Sequence, residues 1–131
     1  MKKIFLQLAV IIILVSSCSK DRIIVDPDNP LLGTWIYDSY SDNAMIFTRS
    51  SSFTDSHCYR FNDGGTMVER KNAGWCGTPP ITYADYEGEW SIISDTLIRV
   101  TVGYWGGVSA NSIDIKFPDL NTLEMYYLPA D

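Results

Sequence analysis

Residues 85–104 read DYEGEWSIISDTLIRVTVGY, and the spacing of their apolar side chains decides what kind of fold the chain can adopt. Ile98, Val100, Val102 and Tyr104 recur at every second position, with Arg99 and Thr101 between them. Successive side chains of a strand point to opposite faces, so this period gives one dry face and one wet face; a helix would need apolar residues three and four apart. The first half repeats the pattern, since Tyr86, Gly88, Trp90 and Ile92 oppose Glu87 and Glu89. The intervening SD tolerates a tight turn, and the stretch reads as a β-hairpin.

The same period extends in both directions. Strands are expected at about 32–38, 43–49, 57–62, 66–71, 85–93, 96–104, 111–117 and 121–128. Tyr59 and Phe61 oppose Arg60; Ile113, Ile115 and Phe117 oppose Asp114 and Lys116; Leu123, Met125 and Tyr127 alternate with Glu124 and Tyr126. From Leu31 onward no stretch carries a helical period. Antiparallel strands with one dry face must close on themselves or pack as two sheets. The expectation is an all-β fold, a small antiparallel up-and-down β-barrel of about eight strands. With roughly 100 residues for eight strands, Trp35, Tyr59, Phe61, Trp90, Ile98 and Val100 should nearly fill the interior, leaving room for a small ligand at most.

The start of the chain is of another kind. Lys2 and Lys3 precede an apolar run from Ile4 to Val15 broken only by Gln7, which is shorter than the roughly 20 apolar residues of a membrane-spanning helix and fits a secretory leader. The leader ends in LVSSC, residues 14–18, which resembles a bacterial lipobox: aliphatic Val15, small Ser16 and Ser17, then Cys18. That resemblance to lipoprotein signal peptides implies cleavage before Cys18, acyl chains on Cys18, and attachment to the bacterial outer membrane on its periplasmic side or at the cell surface. Residues 1–17 are then the signal peptide, 18–30 a flexible tether (SKDRIIVDPDNP after the cysteine), and 31–131 the folded domain. Asp26, Asp28 and Asn29 are read as solvated linker, because no bidentate glutamate follows at the spacing a calcium loop needs. Loss of the leader removes two lysines and leaves eight basic against sixteen acidic residues, a net charge of −8. An acidic domain without a basic stripe is not expected to bind nucleic acid.

The domain opens with LLGTWIYD, in which Gly33 and Trp35 form the Gly-x-Trp pattern found at the first strand of lipocalins and their calycin relatives. YRFNDGGTMVE (59–69) and YEGEWSIISDTLIRVTV (86–102) resemble the hairpins of small bacterial lipocalin-like lipoproteins, and the likeness covers about residues 31–128. The resemblance implies that Gly33 permits close packing at the closed end of the barrel and that Trp35 plugs it. Two features depart from that family: the late strands offer only Lys116 where an arginine usually covers the tryptophan, and no segment can supply the helix usually packed on the wall.

With Cys18 acylated, Cys58 and Cys76 remain. An exported compartment allows them to form a disulfide, worth about 3 kcal/mol on loop-entropy grounds; two unpaired thiols are the alternative. A zinc site is disfavoured, since the sole histidine, His57, adjoins Cys58 and the two side chains of neighbouring strand residues point apart. No nucleophile–base pair, phosphate loop or metalloprotease motif occurs, and Glu87 and Glu89 are read as a solvated face, so neither enzymatic activity nor a cofactor is expected. Candidate ligand contacts are Phe47, Tyr59, Trp90 and Val100 inside the barrel, with Trp75, Tyr104 and Trp105 in loops at its rim, where aromatic rings can cover the barrel end or clamp an apolar or sugar ring. The expected function is a lipid-anchored envelope protein binding a small hydrophobic ligand. Its rivals are a filled barrel that contacts an envelope protein and an inhibitor or resistance factor of calycin type. Replacing Cys18 by alanine is expected to abolish uptake of a palmitate analogue and release the protein from the membrane fraction; label retained by the variant would place the lipid elsewhere.

Overall fold

The computed structural model describes residues 25–75 and 77–129, over which the chain forms eight strands and no helix. The leader, Cys18, the first part of the tether, Cys76 and residues 130–131 lie outside the described residues. The strands are β1 (Gly33–Ser41), β2 (Ala44–Ser50), β3 (Cys58–Phe61), β4 (Thr66–Asn72), β5 (Tyr83–Ile92), β6 (Leu97–Tyr104), β7 (Gly107–Asp119) and β8 (Thr122–Tyr127). All eight expected strands are present, and they close into an antiparallel up-and-down barrel of the small lipocalin-like type.

Turn chemistry sets the hairpin ends. Asp42 and Asn43 take left-handed φ values of 50° and 65°, as a two-residue type I′ turn requires, and join β1 directly to β2. β7 begins earlier than the sequence suggests: Tyr104 pairs with Gly107, so Trp105 and Gly106 alone form the turn, and the run taken as a loop up to residue 110 is strand. The glycines in GYWGGVS conceal the alternation that begins with Val108.

Around the barrel the order is β1, β2, β8, β7, β6, β5, β4, β3 and back to β1. Consecutive strands are neighbours at every step except one, because β1 lies between β2 and β3. Residues 51–57 must therefore cross β1, and they form a strap on the outer wall. Thr34 and Cys58, which alternate with the inward Trp35 and Tyr59, are buried under it. Phe53 fastens the strap by sitting under the guanidinium groups of Arg60 and Arg70, at 4.6 and 5.0 Å.

The inward faces form one core. Rings run through it in contact, with Phe47 to Tyr59 at 5.3 Å, Tyr59 to Phe61 at 5.6 Å and Phe61 to Trp90 at 5.8 Å between centroids. Ile98, Val100, Val102, Ile113, Leu123 and Met125 complete it from the other strands. Gly88 is required on β5 because a Cβ there would lie 2.4 Å from the Thr101 carbonyl oxygen.

At the end where β1 starts, here termed the closed end, Trp35 is fully buried and donates through Nε1 to the Leu31 carbonyl at 2.9 Å. An arginine does cover it, and it comes from β2 and not from a late strand: Arg49 stacks 4.2 Å from the Trp35 ring centroid. Its guanidinium donates to the carbonyls of Leu120, Leu32 and Pro30 at 2.8, 2.9 and 2.6 Å. Gly33, at φ 118°, makes room for this group, since a Cβ there would stand 3.1 Å from Arg49 Nη1. Arg49→Met is expected to leave those carbonyls short of partners and to lower unfolding free energy by about 2–4 kcal/mol, read from the urea midpoint, with Arg49→Lys recovering only part. A change below about 0.5 kcal/mol would show that the carbonyls are satisfied without it.

Candidate functional site

The opposite, open end of the barrel is built from the last turns of β1, β4, β6 and β8 and the starts of β2, β3, β5 and β7. Strand alternation carries polar residues into the lumen there. On β4, Glu69 and Lys71 are in phase with the core residue Met67; just before β3, His57 is in phase with Tyr59 and Phe61. His57 Nε2 lies 2.8 Å from Glu69 Oε1, and Lys71 Nζ donates to Glu69 Oε2 at 2.8 Å. Lys71 also stands 5.4 Å over the Tyr86 ring. The Tyr59 and Tyr127 hydroxyls hydrogen-bond to each other beside this group. Tyr127 has an exposed ring edge, but its hydroxyl is turned inward to the buried Tyr59.

The electrostatics follow from burial and pairing. Burial pushes the Glu69 carboxyl up, yet hydrogen bonds from His57 and Lys71 and the charges of both residues outweigh it and hold the group below its ordinary value. Burial, with Glu69 nearby, pushes both the Tyr59 and Tyr127 phenols up, so both stay neutral. A buried carboxylate is tolerable only when fully partnered, and both Glu69 oxygens are engaged. Among the described residues no buried side-chain nitrogen or oxygen lacks a partner. Chemically this is a satisfied polar plug over the ring column, with Lys71 and His57 as its solvent-facing edge.

Aromatic residues surround the plug. Six exposed aromatics of the described chain, Tyr37, Tyr40, Trp75, Tyr104, Trp105 and Tyr127, all sit at the open end. Trp105 meets Tyr104 edge to face, at 5.9 Å and 90°. The expected ligand residues thus divide into two groups. Trp75, Tyr104 and Trp105 stand on the rim. Phe47, Tyr59 and Val100 have 0–1% of their surface open to water and Trp90 has 8%, so no water-sized space touches the first three. Gly33 and Trp35 lie at the closed end, away from this site. Glu87 and Glu89 face outward and are exposed.

Cys58 carries a free thiol turned to the outer wall, where Sγ donates to the Ser56 and Thr54 carbonyls of the strap at 3.4 and 3.6 Å. The disulfide expected with Cys76 is not formed in this structure: the Cys58 side chain is taken up by the strap, and Cys76 lies outside the described residues.

Glu69, Lys71 and His57 are not among the expected site residues, although continuing the alternation from Met67 and Tyr59 points them inward. Because the folded Glu69 carboxyl lies below its ordinary 4.5, the plug contributes fully above that value, and its contribution fades as pH falls through the lower folded value. Glu69→Gln should cost about 2–3 kcal/mol at pH 7, and the gap between variant and wild type should narrow as pH falls below 4.5. A gap independent of pH would exclude a charged Glu69.

A comparison with family models, curated proteins and solved structures finds no match for this chain.

Proposed function

We propose that this is a lipid-anchored, exported recognition domain that the bilayer holds through Cys18 and that binds with the aromatic rim of its open end. The supporting observation is the division of the rings. Those of the lumen are packed against each other with no space for a ligand beside them, while the exposed ones are collected at one end. Aromatic side chains left in water at a barrel mouth offer flat apolar faces that stack on an apolar or sugar ring, and the Lys71 and His57 edge of the plug supplies hydrogen-bond donors beside them. The binding surface is then the rim, and the barrel is its rigid mount. The filled interior also favours a second reading, in which the same rim contacts an envelope protein instead of a small molecule.

The test is a titration of intrinsic fluorescence with soluble oligosaccharides and with anilinonaphthalene sulfonate, on wild type and two variants. Trp105→Ala should weaken binding tenfold or more, in line with the loss of an aromatic anchor worth about 1.4 kcal/mol or above. Val100→Ala should lower stability and leave affinity unchanged. The reverse pattern would put the ligand in the lumen and overturn the proposal.

A further inference from the structure

The exposed apolar side chains differ in chemistry between the two ends. The exposed aromatics are all at the open end, with the aliphatic Ile81 and Val108 beside them; at the closed end stand Ile92, Ile93 and Leu120, all aliphatic and 64%, 51% and 57% exposed. Their positions are fixed. The Ile93 and Ser94 amides both donate to the Leu97 carbonyl, and the Leu97 amide donates to Ser94, so the β5–β6 tip is a closed turn. Ile92 is in phase with the inward Trp90 and pairs with the core residue Ile98, yet its own side chain is exposed. Leu120 is held because its carbonyl accepts from Arg49.

The chain also arrives at this end. The turn from Asn29 to Leu32 leads into β1 beside Trp35 and Arg49. Only six residues separate Cys18 from Val25, and the seven steps between them span at most about 25 Å when extended. A lipid on Cys18 therefore draws the closed end, where the chain enters β1, toward the bilayer ahead of the rim.

We infer that the closed end is the membrane-facing end and that Ile92, Ile93 and Leu120 dip into the interfacial layer of the bilayer that holds the Cys18 lipid. The inference rests on the reading of Cys18 as acylated. The same end carries the exposed carboxylates Asp63, Asp95 and Asp119, so anionic headgroups do not attract it. The contact is apolar and shallow, and three side chains without the anchor do not hold the domain on a membrane. Tethering makes the weak contact effective by raising its local concentration, and the aromatic rim then points away from the bilayer.

The experiment is hydrogen exchange on the full-length protein from its own envelope, reconstituted in nanodiscs of phosphatidylethanolamine and phosphatidylcholine, against Cys18→Ala protein in buffer. Amides of residues 92–96 and 119–121 should exchange at least about fivefold more slowly on the nanodisc, those of the rim turns 41–43 and 104–107 at unchanged rates. An Ile93→Asp, Leu120→Asp double variant should keep its palmitate label and lose that protection. Protection at the rim turns instead, or equal rates at the closed end, overturns the orientation while leaving the acylation intact. Protection that appears in buffer as protein concentration rises assigns the tips to a second copy of the chain and also overturns it. Absence of palmitate label on the wild-type protein removes the anchor and both readings with it.

Discussion

One guanidinium group ties this barrel together. Arg49 reaches from β2 to the carbonyls of Pro30, Leu32 and Leu120, and so joins the incoming chain, the start of β1 and the β7–β8 turn around the Trp35 ring. The first two are continuous, but the β7–β8 turn lies 71 residues from Arg49, and β2 and β8 share only four residue pairs at the seam where the sheet closes. A cation with donors in a planar fork suits this position, because it can serve several carbonyls at once where an ammonium would act as a point charge. Gly33 then follows from Arg49, since any side chain there would stand in the guanidinium's place.

With the closed end fixed in this way, the other end has freedom the first lacks. The strap over β1 and the type I′ turn at Asp42 and Asn43 bring His57, Glu69, Lys71 and Tyr127 around a lumen that the rings below have already filled. Both oxygens of the one buried carboxylate, Glu69, are engaged within the group by His57 and Lys71, so the plug closes the barrel with that charge partnered. The exposed aromatics around it are therefore the chemically distinctive surface at that end. A barrel this narrow has no interior to offer once Trp35, Tyr59, Phe61 and Trp90 are inside it.

Period-two alternation carries most of the fold in the sequence itself, because a strand with one buried face can only satisfy it one way. Ile98, Val100, Ile113, Leu123 and Met125 are readable as core on that ground alone. The strand order is not readable, since alternation says which face is dry and nothing about which neighbour lies beside it; the crossing of β1 by the connection between β2 and β3 has no local signature. Arg49, Glu69 and Lys71 were obscured differently. Each stands at an inward phase, beside Phe47 or Met67, but a charge at that phase looks like the end of a strand until the partners that satisfy it are known. Their partners come from 12 to 71 residues away for His57 and Leu120, which no window of sequence brings together.

The two ends thus perform different physical tasks with the same eight strands. The closed end joins chain segments through Arg49 and leaves aliphatic tips and carboxylates in water; the open end pairs its buried charges inside the lumen and carries all the exposed rings, with Ile81 and Val108 beside them. That asymmetry follows the chain's own path, because a strand that starts at the tether must finish at the far side, and every second turn lies with it. If Cys18 is acylated as proposed, a recognition surface beside the entering chain would be occluded by the bilayer. The aromatic rim sits at the opposite end from the entering chain, and the filled core between the two ends mounts it rigidly on the barrel.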